Sequence, residues 1–361
     1  MTLRPPLPPG SKVLVGLSGG VDSSVAAALL QEQGYDVTGG FIKNWSDSKD
    51  LWTGECQWRA ERRDALRVAA RLGLSLLTFD FEARYRERVL DAMFAGYQAG
   101  QTPNPDILCN EAIKFGLFFE EARRLGFDGV ATGHYARSSL DAAGAHLWKG
   151  IDPLKDQSYF LQRMPREALA RALFPVGHLH KPQVRAEARR FGLPTAEKPD
   201  SQGICFLGKV RFDEFLRHYL GVSRGDLIEY ETGKKIGEHD GFWYFTIGQR
   251  KGIKLSGGPW FVVAKDAKKN EVFISNASRG AEGARKTFDV ENMNWIAGTA
   301  PEKRVLDVKI RHGESRYPCR IRLLRANRWR VRLDESQPGV APGQFAVLYD
   351  GKECLGGGVI C

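Results

Sequence analysis

The chain has 361 residues, 42% hydrophobic and 27% charged, with a net charge of +10 and a pI near 9.3, a balance that fits two or three soluble domains and favours an anionic partner. No apolar signal core opens it and no stretch approaches the roughly 18 uninterrupted apolar residues of a membrane span, so membrane work is excluded and the cytoplasm is the expected location. The 6 cysteines, at positions 56, 109, 205, 319, 354 and 361, include no Cys-x-x-Cys pair, which excludes a disulfide framework or a zinc-type Cys/His set; no metal site is expected.

Up to about residue 135, short β-like runs alternate with amphipathic helices. Residues 13–17 predict a strand, 23–33 a helix stopped by Gly34, 35–42 a strand, 60–72 a helix closed by Gly73, and 74–79 a strand. Such alternation means an α/β domain with a parallel sheet, in which ligands gather beyond the carboxyl ends of the strands. A helix ending near Gly100 and another over about 111–125 flank the segment T-P-N-P-D-I-L-C-N, residues 102–110. Residues 157–192 are helix-rich, and Gly192 ends a helix whose first turn suits Pro182. Residues 194–208 read as a long loop containing Cys205. Beyond residue 220, short β-runs and turns predict small barrels or sandwiches. The expected organisation is a catalytic domain over 1–210, a small central domain over 211–283 and a C-terminal β-barrel over 284–361.

Residues 16–24 read G-L-S-G-G-V-D-S-S and join the first strand to the first helix. A Walker A loop needs G-x-x-x-x-G-K-[ST], and Val21 and Asp22 stand where its second Gly and its Lys belong. Gly19 and Gly20 nevertheless let backbone N–H groups approach phosphate oxygens, and Ser18, Ser23 and Ser24 add hydroxyls at a helix N-terminus. A tight turn capped by Asp22 or Ser23 is the plainer reading, but the coincidence of strand, glycines and hydroxyls favours a phosphate site.

Two cysteines have motif context. Cys109 falls near the N-terminus expected for the 111–125 helix, where the dipole favours thiolate, with Asp106 three residues earlier able to accept a hydrogen bond or shuttle a proton. A small buried apolar residue and a turn former account for the pair equally well. Cys205, in K-P-D-S-Q-G-I-C-F-L-G, is either a loop thiol able to visit a partner or part of an apolar plug.

From Lys303 to Arg332, eleven Lys or Arg face two acids, Asp307 and Glu314. Period-two alternation puts Arg320 with Arg322, and Arg328 with Arg330 and Arg332, on common strand faces, with Trp329 on the opposite parity. Neutralisation of RNA phosphates is the expected use. Trp243, Tyr244 and Trp260 read as core.

The S-G-G-V-D-S-S loop resembles the PP-loop of ATP pyrophosphatases. Together with N-W at 44 and 45, T-P-N-P-D-I-L-C-N, A-T-G-H-Y, K-D-Q-S-Y-F-L, F-P-V-G, K-P-Q-V-R, D-S-Q-G-I-C-F, T-I-G-Q-R-K-G, P-G-Q and C-L-G-G-G, in order over nearly the whole chain, it resembles the MnmA-type tRNA 2-thiouridylases. The resemblance implies that ATP, with Mg2+, adenylates O2 of the wobble uridine in tRNA, and that sulfur from a Cys205 persulfide displaces AMP. A sulfur-relay protein or cysteine desulfurase would supply the persulfide, and Cys109 would be the partner thiol.

By the same resemblance Gly16, Leu17, Ser18, Gly19, Gly20, Val21, Asp22, Ser23, Ile42 and Gly133 match nucleotide contacts. Asn104, Pro105 and Asp106 match the pocket of a uridine that has left its stack. His134, Lys155, Asp156, Gln157, Arg316, Tyr317 and Gln344 match tRNA contacts. Ile42 stands where relatives are expected to carry Met, and Gln202 where Thr is expected; both changes read as minor. Neither DNA nor a membrane is an expected partner. The rivals are a PP-loop synthetase acting on a carboxylate or amide, which needs no cysteine pair, and an RNA-binding module with a dead nucleotide site.

Overall fold

In the computed structural model, which describes residues 5–46, 57–200, 212–253, 255–276 and 284–361, Val13, Leu14 and Val15 are fully buried and make β1 (Lys12–Gly16) the central strand of a parallel sheet. β2 (Asp36–Lys43) and β3 (Leu76–Asp80) extend it on one side. β4 (Gly129–Ala131) flanks it on the other, followed by a hairpin, β5 (Ala136–Asp141) and β6 (Gly144–Lys149), that leaves the sheet, and by β7 (Ala172–Leu173), which returns beside β4. The order β3-β2-β1-β4-β7 reverses direction between β1 and β4, so the crevice that binds ligands in such sheets opens at their carboxyl ends.

Helices Val21–Glu32, Gln57–Leu72 and Lys181–Arg190 cover one face through Val25, Ala26, Ala65, Val68, Val184 and Ala188. Gly34 and Gly73, at φ +83° and +70°, terminate the first two as the sequence predicts. The helix expected over 111–125 instead begins at Pro105 and runs as Pro105–Cys109, a π-helical Asn110–Leu117 and Phe118–Arg124. Asn104 Oδ1 caps it by accepting the Ile107 N–H at 3.2 Å, and Pro105 takes the first-turn place that needs no N–H.

The aromatic face of helix Phe212–Leu220 docks Phe215 and Tyr219 on Trp45 and Phe94. Next, β8 (Gly225–Glu229), β9 (Lys235–His239), β10 (Trp260–Asp266) and β11 (Glu271–Asn276) form a small sheet in the order β10-β11-β8-β9. Trp243, Tyr244 and Trp260 are half-buried against its core.

The last six strands are β12 (Arg285–Trp295), β13 (Val305–Lys309), β14 (Tyr317–Arg325), β15 (Arg328–Gln337), β16 (Phe345–Asp350) and β17 (Glu353–Ile360). They run β12-β15-β14-β13-β16-β17, and β17 pairs back with β12 to close a barrel. The β5–β6 hairpin adds to the outside of this closure, Trp148 opposite Glu353 and Leu147 opposite Cys354. Leu14, Ile107, Phe118 and Tyr159 share one apolar core with the barrel's Phe345, Val347 and Tyr349. The barrel is therefore seated on the catalytic domain by both a sheet and a core. Among the described residues, no helix is long and apolar enough to cross a membrane.

Candidate active site

β1 ends at Gly16, and Leu17 is pinned by its N–H to the Gly40 carbonyl at 2.9 Å. At Gly19, φ is +74° and a Cβ would fall 2.4 Å from the Glu61 carbonyl oxygen, so a side chain has neither conformation nor room. Ser18 and Ser23 place their Oγ atoms 3.1 Å apart, and the Ser23 and Ser24 hydroxyls donate to the Gly20 carbonyl at 3.1 and 2.7 Å. Gly20 caps the following helix without a side chain, and among the described residues the N–H groups of Val21, Asp22 and Ser23 meet no acceptor. Three orphan donors at a helix N-terminus form an anion cradle. Gly133, beyond β4, backs it so closely that a Cβ would lie 2.5 Å from Ser23 N. Ile42, near the end of β2, is partly buried.

The cation missing from the loop comes from later in the chain. Lys181 Nζ lies 2.7 Å from Asp22 Oδ1 and 2.8 Å from Asp200 Oδ1. Lys198 Nζ lies 2.9 Å from the Gly19 carbonyl and 2.7 Å from Asp64 Oδ2. Lys155 and Arg185 also reach Asp200, at 3.0 and 2.7 Å, and the Tyr135 hydroxyl donates to Asp22 at 2.8 Å. Burial alone raises the Asp200 carboxyl pKa, but hydrogen bonds from Lys181 and Lys155 outweigh it and bring it to about 2. K-P-Q-V-R and K-P-D were visible as motifs; no spacing rule says that Lys181, 159 residues from Asp22, faces the loop.

Asp106 is in the first turn of the Pro105 helix, with Pro105 buried beside it. Cys109 is the fifth residue of that run, 1% exposed, in an apolar cluster with Trp45, Met93, Tyr97 and Phe215. The expectation of a thiol at the helix N-terminus is corrected: dipole assistance fades beyond the first turn. Cys205 lies outside the described residues, as does Cys56. Burial pushes the Cys319 and Cys354 thiols up to about 12, which leaves them inert at neutral pH.

The residues matched to tRNA contacts divide. Lys155 is half-exposed beside Asp200, whereas Gln157 Oε1 accepts the Tyr135 N–H at 2.9 Å. Asp156 is corrected: it is 2% exposed, accepts the Gly150 and Ser158 N–H groups, and meets the equally buried Lys309 of β13 at 3.2 Å. It ties the barrel to the catalytic domain and has no surface to offer RNA. His134 is also buried, 2.7 Å from Thr132 Oγ1; burial, then the nearby Lys114 charge, hold its pKa well below the usual value and keep it neutral. Arg316 donates to the Gly351 carbonyl at 2.6 Å and pairs with Asp307, and Tyr317 opens β14. Gln344 Nε2 donates to the Thr102 carbonyl at 2.8 Å, bracing the segment that leads to Asn104.

The parity read from the arginine stripe holds, with Trp329 inside the barrel against Trp295. Its charge is smaller than expected, because Asp289 and Glu291 of β12 pair with Arg328 and Asp289 with Arg330. Arg320, Arg322 and Arg332 stay exposed without an ion pair among the described residues, Arg320 directly opposite Arg332. Like charges facing across a ladder repel, which favours an anion between them.

Three domain families match consecutive parts of the chain: a tRNA methyl transferase HUP domain over 11–209, a tRNA methyl transferase PRC-barrel domain over 213–276 and an aminomethyltransferase beta-barrel domain over 285–360. Relatives similar over the full length bear a different chemistry in their name. A tRNA-specific 2-thiouridylase MnmA of Chromohalobacter salexigens is 46% identical, over 97% of this chain and 92% of the relative. Those of Pseudomonas paraeruginosa and Nitrosomonas eutropha are each 45% identical, over 100% and 97% of this chain and 97% and 98% of theirs. The orphan N–H cradle suits an ATP-using enzyme of that kind, and with near-complete coverage on both sides the chain belongs to the MnmA-type tRNA-specific 2-thiouridylase family.

Proposed function

We propose that the protein is an ATP-dependent sulfurtransferase that converts a tRNA uridine, the wobble uridine, to 2-thiouridine. A carbonyl oxygen is a poor leaving group. Attack of uridine O2 on the α-phosphorus of ATP forms an O2–P bond and breaks the α–β bridge, so pyrophosphate leaves and O2 becomes part of a phosphate ester. A sulfur nucleophile then adds at C2, and AMP departs with the former O2.

The cradle fits the leaving pyrophosphate. The N–H groups of Val21, Asp22 and Ser23 and the Ser18 hydroxyl would hold its oxygens, and Lys181 and Lys198 would balance its charge. Asp22 would help hold Mg2+, which would offset negative charge on the ATP phosphates.

Sulfur would arrive as a persulfide on Cys205 from a relay protein or cysteine desulfurase. After its terminal sulfur bonds to C2, the Cys109 thiolate attacks the Cys205 sulfur; a Cys109–Cys205 disulfide forms, the thiocarbonyl is released, and two equivalents of an external thiol, leaving as their own disulfide, restore both cysteines. Cys109 must first be uncovered, because its present surroundings are apolar. Asp106 would orient the base beside it.

The observation that carries this reading is the three-donor cradle with Lys181 and Lys198 at its rim. Mass spectrometry of tRNA nucleosides from cells lacking the protein tests it: 2-thiouridine disappears if the reading is right, and its persistence overturns it.

A further inference from the structure

Arg163 is not among the residues matched to nucleotide or tRNA, yet its three nitrogens are all engaged. Nε and Nη2 form a fork on Glu111, at 2.6 Å to Oε2 and 2.8 Å to Oε1. Nη1 donates to the Asn292 carbonyl of β12 at 2.9 Å. Asn292 adopts φ +53° at an irregularity in that strand, between Glu291 and Asn294. One guanidinium thus joins the catalytic helical run to the barrel.

The attachment point matters. Glu111 is two residues beyond Cys109 and five beyond Asp106, inside the π-helical Asn110–Leu117. A π turn carries an extra residue, is rarely stable by itself and often marks functional sites. Its rotation about the helix axis sets where Asp106 and Cys109 aim. Asn110 reinforces the grip by donating to the Phe160 carbonyl at 3.2 Å, and Asn294 donates to the Gln162 carbonyl at 2.8 Å. At the start of the same segment, Thr102 donates to the Pro342 carbonyl at 2.9 Å and accepts from Gln344. The segment is thus tied to the barrel directly at Thr102 and, through Arg163, at Glu111.

We propose that Arg163 is a positioning residue: its fork on Glu111 and its bond to Asn292 hold the Cys109 helix in register with the barrel that carries the tRNA. Lysine cannot replace it, since the three N–H bonds of an ammonium sit on one nitrogen and cannot form the planar fork on Glu111 while also bonding the Asn292 carbonyl. The proposal rests on the thiolation reading only in the reaction assayed.

The test compares Arg163→Lys, Glu111→Gln and the double variant, all near the native volume, by steady-state thiolation of unmodified tRNA and by the rate at which iodoacetamide alkylates the Cys109 peptide. Each single variant is expected to lower kcat at least tenfold with KM for tRNA within twofold, and to speed Cys109 alkylation several-fold. The double variant is expected to match the singles, since one unit is broken. A raised KM for tRNA with unchanged kcat makes Arg163 an RNA contact and overturns the proposal, as does native alkylation in all three. Should the wild type fail to thiolate tRNA, the alkylation rates still decide the positioning role.

Discussion

Lys181 Nζ sits 2.7 Å from Asp22 Oδ1, inside a loop whose own sequence offers no cation. A phosphate cradle without a lysine is weak, and a lysine from a distant helix repairs it while leaving the loop free to wrap the leaving group. Lys181→Met removes that charge at nearly constant volume. The expected result is a fall in kcat/KM for ATP of roughly 10²–10³, on the order of 3–4 kcal/mol of transition-state stabilisation, with tRNA affinity within twofold. AMP formation at varied ATP measures it, and a change below threefold contradicts the assignment.

The barrel arginines predict a division of labour. Arg320, Arg322 and Arg332 are exposed and unpaired among the described residues, whereas Arg330 spends its charge on Asp289. Replacing the first three by Ala should flatten the slope of log Kobs for tRNA against log salt by about 2–3. Arg330→Ala should leave that slope unchanged. Filter binding over a salt series separates the two outcomes.

How much of this was legible in the sequence follows from the range of each signal. The strand, glycine loop and helix around Gly19 are encoded within a dozen residues, and the structure reproduces them. The sequence places the helix start near 111, whereas it lies at Pro105, where proline at the first helical position is favourable. The alternation that placed Trp329 inward was local and correct; the acids that quench Arg328 and Arg330 sit on β12, about forty residues upstream, and left no local trace. Pairing of the β5–β6 hairpin with β17 spans more than two hundred residues and has no pattern at either end. Asp156 is matched with Lys155 to tRNA contacts by resemblance, and only the seam with Lys309 shows it buried.

That seam makes its own prediction. Asp156→Asn leaves the Lys309 ammonium, 1% exposed, without its counter-charge, a change that typically costs about 3–5 kcal/mol. A drop in Tm of many degrees is expected, and adding Lys309→Met to Asp156→Asn, which removes the orphaned charge while Asn keeps an acceptor for the Gly150 and Ser158 N–H groups, should recover most of it. If Asp156→Asn melts at the wild-type temperature, the pair is not a strut.

His146 gives a pH dependence. It lies 2.6 Å from Glu353 and 3.0 Å from Asp141 and stacks on Trp148, where the hairpin meets β17. Burial lowers its pKa, but the hydrogen bonds to Glu353 and Asp141 more than compensate, so it is raised above 6.5. Its contribution is therefore complete below the unfolded value and is lost as pH rises through the folded one. The Tm difference between wild type and His146→Gln should shrink as pH climbs from 6 into the range above the folded pKa. A constant difference would remove the charge from the explanation.

The most direct measurement follows the uridine oxygen. tRNA carrying 18O at O2 of the target uridine is incubated with the protein, ATP, a persulfide donor and a dithiol, and the AMP is weighed by mass spectrometry. Adenylation of O2 predicts one 18O in AMP for each 2-thiouridine formed; label appearing in water, or in pyrophosphate, with unlabelled AMP would contradict it.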